Sequence, residues 1–290
     1  MEPTWPERVH AALRRLPVER FRHPPPVVAV LRLAGAIGGF GPYRGGLTLA
    51  KLAAPIARAF SMPGLAAVAL AINSPGGAPV QSALIAGRIR ALADEKKVPV
   101  LAFCEDVAAS GGYWLACAAD EIACDASSIL GSIGVISSGF GFHELIERIG
   151  VRRRLYTAGE RKSLLDPFKA EKPEDEARLR LVQDEIHAEF IAWVKARRGA
   201  RLKADDATLF SGEFWTGRRA VELGLADSIG DLRAALRARF GEKVRLRLVA
   251  TERRGFLARF SPLGATPASA WAEDLVAAAE ARALWARFGI

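Results

Sequence analysis

The chain has 290 residues, 50% of them hydrophobic and 25% charged, with a formal net charge of +9 and a pI near 9.9. That composition excludes a disordered chain, and the length fits one α/β domain of roughly 200 residues with extensions better than two equal domains. Part of the basic excess is local: between Arg233 and Arg259 stand nine Lys or Arg and two acids, Glu242 and Glu252.

Residues 1–26 form a Pro-rich extension, broken by Pro3, Pro6 and Pro17 and ending in His23-Pro-Pro-Pro26. No apolar h-region of a secretory signal is visible in it, and no stretch of the chain approaches 18 uninterrupted apolar residues. The expected location is therefore cytoplasmic, or peripheral on the inner face of a membrane. Residues 27–240 carry the pattern of a single catalytic-size domain, and 241–290 a basic strand, a linker and a final helix.

Within the domain, Val27 to Ala34 reads as a strand and Leu47 to Phe60 has helical spacing. Leu65 to Ile72 is a continuous apolar run, as in a parallel strand buried on both faces. Asn73-Ser-Pro-Gly-Gly77 ends it sharply, and Val80 to Ala93 is again helical. Val98 to Phe103 predicts a third strand, Ser110 to Ala119 a helix, and Glu121–Cys124 and Ile133–Ile136 short strands. Alternation at this spacing predicts right-handed crossovers and a mostly parallel sheet, with active groups at the carboxyl ends of the strands. Further on, Phe142 to Ile149 reads as a helix, Val151 to Tyr156 as a strand, and Gly159 to Asp166 as a loop. Lys172-Pro-Glu-Asp-Glu176 opens a long helix reaching Arg198, with acids in its first turn as the helix dipole favours. Phe210 to Gly230 reads as a compact helical segment, Lys243 to Val249 as an edge strand, and Ala270 to Phe288 as the last helix. Cys104, Cys117 and Cys124 form no C-x-x-C pair and read as buried free thiols, so no metal site is expected.

Two glycine-rich turns follow predicted strands. In Asn73–Gly77 the paired glycines let backbone N–H groups approach a ligand, which suits half of an oxyanion hole as well as an ordinary turn. In Ala108-Ala-Ser-Gly-Gly-Tyr-Trp114, Ser110 opens a helix either as an N-cap or as a nucleophile. Gly111 and Gly112 argue against a plain cap, because two glycines in a first helical turn cost about 1 kcal/mol each relative to alanine. A serine nucleophile needs a base. His10 and His23 lie in the leader, and His143 and His187 fall in helical patterns without a motif around them. A desolvated lysine does the same work, and Lys162 stands in the loop Gly159-Glu-Arg-Lys-Ser163.

Asn73–Gly77, Ala109-Ser-Gly-Gly-Tyr113, Gly131-Ser-Ile-Gly-Val135 and Gly159–Ser163 come in the order and spacing of one family. The chain resembles the SppA-like signal peptide peptidases of family S49 over roughly Val27 to Leu236. The resemblance implies a ClpP/crotonase-like spiral fold, an α/β architecture with a mostly parallel sheet core and flanking helices. It implies a serine endopeptidase that cleaves peptides or unfolded polypeptides through an acyl-enzyme, with no cofactor and no metal. It casts Ser110 as nucleophile, Lys162 as base, Gly76 or Gly77 with Gly111 as oxyanion hole, and Ser132 as the residue that orients the lysine. Phe210 to Asp227 matches the family's closing F-x-G…G-x-x-A-x-x-x-G-L-x-D stretch and reads as structural. Family members form ring-like oligomers, so a homo-oligomer is expected. Alternatives on such a fold are a crotonase-like acyl-CoA enzyme, a ClpP-like Ser-His-Asp peptidase using His143 or His187, and an inactive peptide-binding scaffold. Arg245, Arg247, Arg253, Arg254 and Arg259, interleaved with Leu246, Leu248, Phe256, Leu257 and Phe260, offer a peripheral contact with an anionic membrane. No nucleic-acid module surrounds this charge, and none is expected to bind.

Overall fold

A computed structural model describes residues 24–38, 46–159, 161–250 and 282–289. Strands β1 (Val27–Ala34), β2 (Leu65–Ser74) and β3 (Val100–Ala109) lie side by side and parallel. Helices α1 (Leu49–Ala59) and α2 (Pro79–Lys96) make the crossovers between them. β2 is central, and its residues Ala67 to Ile72 are all buried, as a strand covered on both faces requires. Alternate residues supply two cores. Leu31, Leu33, Leu70, Ile72 and Val100 face α1 and α2, where Ile56, Ile85 and Ile89 meet them. Val28, Val30, Ala69, Leu101 and Phe103 face the opposite side, covered by Leu236 of α8 (Leu232–Phe240). Fully burying one such Leu or Ile contributes about 1.5–3 kcal/mol.

Beyond β2 the sheet forks. The first half of β3, Leu101 to Cys104, pairs with β4 (Glu121–Cys124), and its last residues, Val107 to Ala109, pair with β5 (Ile129–Gly131). The register against β2 jumps between Cys104 and Ala108. The Asn73 amide fills the gap, donating to Asp106 Oδ2 at 2.6 Å and accepting from the Val107 N–H at 3.2 Å. β6 (Phe214–Thr216) runs antiparallel to β5, and β7 (Ser228–Ile229) pairs with β4. This is a mostly parallel sheet with flanking helices, the α/β architecture expected. β8 (Arg245–Val249) adds itself in parallel to the free edge of β1. The basic strand set apart by sequence at 241–290 thus belongs to the same sheet. Residues 282–289 also return to it, where Phe288 packs on Val107 and Ala109 and meets Phe214 edge-on at 5.1 Å.

Several sequence expectations change. α3 is shorter than Ser110–Ala119 and spans Gly111–Ala116, because Ser110 itself leaves helical geometry. No strand forms at Ile133–Ile136; the pairing residues lie earlier, at Ile129–Gly131, since only there does β3 offer a free edge. Val151–Tyr156 is exposed and unpaired, with no neighbouring strand to complete a ladder for its apolar–arginine run. Phe210–Gly230 holds β6, α7 (Gly217–Glu222) and β7 instead of one helical unit. α4 (His143–Arg148) and α5 (Pro173–Arg198) match their predicted places, and α6 (Asp206–Leu209) follows α5. Cys104, Cys117 and Cys124 are buried free thiols. The Pro-rich residues 1–23, the arginines and apolar residues of 253–260, and positions 270–281 of the expected last helix lie outside the described residues. Among the described residues no helix is long and apolar enough to cross a membrane, and no cluster of His, Cys, Asp and Glu is arranged to hold a metal.

Helix α5 is fastened at its end by Arg198, whose side chain is 1% exposed. Its guanidinium grips both oxygens of Asp227 at 2.8 and 3.0 Å and donates twice to the Gly224 carbonyl. Asp227 in turn accepts from the Ile122 N–H of β4 at 2.7 Å. Burial alone would push the Asp227 carboxyl up, but Arg198 and the Ile122 N–H outweigh it and hold it below the usual carboxylate range. Folding therefore disfavours the protonated carboxyl. The stabilisation is present above the unfolded pKa, about 4, and is lost as pH falls through the folded value. Asp227→Asn is expected to cost at least about 3 kcal/mol at neutral pH, since it leaves a buried guanidinium without its counter-charge. Urea unfolding at a series of pH values checks this: the gap between variant and parent closes as the pH drops below about 4.

Candidate active site

Ser110 sits where the forked β3 runs into α3. Its backbone has φ 52° and ψ −122°, a conformation that favours glycine and costs a side-chain-bearing residue about 1–3 kcal/mol. Its hydroxyl makes no capping bond to α3. The N-cap reading therefore does not describe this serine. The strain is imposed from both sides, as the Ser110 N–H donates to the Gly131 carbonyl of β5 at 2.8 Å and its carbonyl accepts from the Trp114 N–H at 3.0 Å. The half-buried side chain opens into a narrow pocket lined by Gly77, Trp114, Val135, Ile186 and Phe190.

The glycines of both turns allow close approach. A Cβ on Gly76, which has φ 100°, would come within 2.7 Å of Ser110 Cβ and 2.8 Å of Gly111 N. A Cβ on Gly112 would collide with the Ser74 carbonyl. Gly112 thus lets α3 seat against the end of β2, and Gly111 lets it approach Ser82 of α2, a packing reason that adds to access for a substrate. The Gly76 N–H donates to Ser74 Oγ at 3.2 Å. The Gly77 N–H takes no part in the bonds that flank it, Ile37 N to Gly76 O and Ala78 N to Ile37 O. Gly111 is the first residue of α3, where an N–H has no intrahelical acceptor. Gly77 and Gly111 both line the pocket with Ser110.

Ser132 lies just past β5, buried, with φ 51° and its N–H donating to the Glu213 carbonyl at 2.6 Å. Lys162 is not brought to this centre. It is exposed on a turn, it does not line the pocket, and among the described residues its side chain makes no hydrogen bond or ion pair. The surrounding segment, 136–168, displays Ile136, Phe140, Ile149 and Tyr156 to solvent, Tyr156 at 91% exposure. Phe142 and Phe168 meet at 5.7 Å with Arg153 over the Phe168 ring, so the segment packs mainly on itself.

His143 is on the exposed segment beside Glu144. His187 Nε2 lies 3.0 Å from the Ile133 carbonyl oxygen. Neither histidine contacts Ser110, so a Ser-His pairing is not formed. No carboxylate lines the pocket, which a crotonase-type base would require. Sequence reasoning missed the pocket's aromatic wall. Trp114 and Phe190 stack at 4.5 Å, and Trp193 Nε1 donates to the Trp114 carbonyl at 3.1 Å. The signal lay in the i, i+3, i+4 recurrence of Ile186, His187, Phe190, Trp193, Val194 and Arg197 along α5, which marks the face that packs on α3.

The chain is 50% identical over 288 residues to a Brucella abortus protein named Na(+)/H(+) antiporter NhaA, an alignment covering 96% of this chain and 39% of that protein. It is 34% identical over 171 residues to the Arabidopsis thaliana chloroplastic serine protease SPPA, covering 59% of this chain and 25% of that one. The chain therefore spans well under two thirds of the length of either relative. Among solved structures, the 1510-N membrane-bound stomatin-specific protease superposes with a TM-score of 0.48 at 16% identity, over 78% of this chain and 98% of that one. The profile of Peptidase family S49 matches residues 92–245, a span that holds Ser110, Ser132 and Lys162 and runs from α2 to the first residue of β8. With more than half of its length matched, the chain belongs to peptidase family S49.

Proposed function

We propose that the chain is a serine endopeptidase in which Ser110 is the nucleophile and Lys162 the general base. The observation that carries this reading is the strained Ser110, uncommitted to capping and set beside two N–H groups at the mouth of an apolar pocket. Ser110 Oγ attacks the scissile carbonyl as its proton passes to neutral Lys162. A C–O bond forms, and the carbonyl oxygen takes the charge between the N–H groups of Gly77 and Gly111, each such donor contributing about 3–4 kcal/mol to the transition state. The tetrahedral adduct collapses, the C–N bond breaks, and Lys162 returns the proton to the leaving amine. Water, deprotonated by the same lysine, then releases the acyl group and regenerates Ser110. Ser132 orients Lys162, and the aromatic and aliphatic wall of the pocket favours small apolar side chains.

A lysine works as a base only when it is desolvated. Lys162 is exposed in the single chain, so the dyad closes when the 136–168 segment packs against further surface. A homo-oligomer supplies it, and the segment's exposed Ile136, Phe140, Ile149 and Tyr156 are the apolar side chains such a contact would cover. The antiporter name of the Brucella relative is not carried over, since 39% of that protein is matched and no described helix here is long and apolar enough to cross a membrane.

Ser110→Ala and Lys162→Ala are each expected to lower cleavage of an unfolded polypeptide by at least about a thousandfold while EDTA leaves it unchanged. Fluorophosphonate labelling followed by peptide mapping should mark Ser110, and an active Lys162→Ala enzyme refutes the dyad. Phe140→Glu combined with Ile149→Glu should shift light-scattering mass toward the monomer and abolish cleavage together. A dispersed variant that keeps full activity rules out assembly as the source of the dyad.

A further inference from the structure

Gly134 and Val135 form one wall of the pocket beside Ser110, at the end of a short run that leaves β5 at Gly131 and buries the Ile133 side chain in the core. β5 ends at Gly131, and from Ile136 the chain is exposed. Across the interval, the Gly131 carbonyl accepts from the Ser110 N–H, and the Ser132 N–H donates to the Glu213 carbonyl. The Gly134 N–H folds back on the Ser132 carbonyl at 3.0 Å, which closes the turn without anchoring it to any other element. Ser132 keeps φ 51° throughout, a left-handed conformation that a serine holds only when its surroundings over-determine it. The Ile133 side chain is packed in the core, and its backbone meets α5, where His187 Nε2 lies 3.0 Å from the Ile133 carbonyl oxygen. A carbonyl oxygen only accepts, so Nε2 carries the hydrogen in this contact.

We propose that His187 is a positioning residue. Its hydrogen bond to Ile133 holds Ser132 and the wall formed by Gly134 and Val135 in the shape that receives a substrate next to Ser110. This rests on the peptidase reading above and adds a function for a histidine that the Ser-Lys chemistry leaves unused. Three observations support it. Ile133 is fully buried, so its carbonyl without His187 would be left unsatisfied away from water. His187 stands one turn before Phe190, which stacks on Trp114 and lines the pocket with it. Val135 lines both the pocket and the wider groove along α5 that His187 also lines, so a shift of this wall changes both at once. Helix α5 thereby sets the two walls of the pocket relative to each other, through a ring stack on one side and a hydrogen bond on the other.

The test uses the full chain as parent, His187→Ala and His187→Gln. Glutamine keeps an N–H donor that can reach the same carbonyl; alanine has none. Amide hydrogen exchange over residues 131–136 reads the anchor directly, and the rate of fluorophosphonate labelling of Ser110 reads its consequence. His187→Ala should exchange faster across 131–136 with β1, β2 and the first half of β3 unchanged, and label Ser110 at least about tenfold more slowly. His187→Gln should recover most of the protection and most of the labelling rate. Unchanged exchange over 131–136 in His187→Ala overturns the proposal. So does a His187→Gln protein as unprotected and as slow as His187→Ala at equal melting temperature. Should His187→Ala not fold, the glutamine variant decides alone: protection and labelling close to the parent uphold the proposal, and loss of both overturns it. A parent enzyme that shows no labelling in any assembly state sinks the peptidase reading, and exchange still decides whether His187 anchors the wall.

Discussion

Arg198 grips Asp227 and the Gly224 carbonyl at the point where helix α5 ends, and the position of that helix decides where the pocket walls stand. A buried pair of this kind adds little net stability over an apolar filling, but breaking it leaves a charge stranded, so it acts as a locator more than as a source of energy. The same turn accepts the Tyr113 hydroxyl through the Leu225 carbonyl at 2.8 Å. Tyr113 is three residues past Ser110, which means that one loop, residues 224–227, sets both the nucleophile's helix and the long helix packed over it. Along α5 the contacts then follow in order: Arg197 to the Cys117 carbonyl, Trp193 to the Trp114 carbonyl, Phe190 on the Trp114 ring, His187 to Ile133.

The strain at Ser110 is supported by that frame. β3 must leave β4, step past Asp106 and join β5 before it reaches the serine, and the Asn73 amide holds the step in place. Asn73 belongs to the turn that also provides Gly76, which packs on Ser110, and Gly77, whose N–H has no acceptor among the described residues. The first turn therefore shapes the second: a residue chosen for backbone geometry at position 73 governs the approach of a hydroxyl at position 110.

Much of this was legible in the sequence because it depends on local chemistry. The apolar run of β2, the helical spacing of α2 and the acid-first opening of α5 each fix an element with little help from the rest of the chain. Ser110 could be singled out because Gly-Gly after it is a poor choice for helix stability alone. The closing motif's Asp227 was read as structural, and it is the partner of Arg198. What stayed hidden depends on distance. Nothing local separates the three arginines after Val151 from an edge strand; the difference is that no neighbour arrives to pair with them. The helical look of Phe210–Gly230 gave way to β6 and β7 because β5 and β4 had edges to fill. Lys162, named by its motif alone, stands on a segment whose position local sequence does not specify.

The place of β8 has a consequence for the growing chain. Its partner β1 begins at Val27, and the register pairs Val27 with Arg245, so nearly the whole domain is synthesised before that edge is closed. Until then β1 presents an open ladder flanked by Val28, Val30 and Leu31, the kind of edge that recruits strands from other molecules. Contacts so far apart in sequence also form late. The arginines at positions 245 and 247, which entered as a surface-charge question, end on the strand that covers this edge. Among the described residues they give the sheet a charged border, one that disfavours the pairing of one copy's sheet with another's.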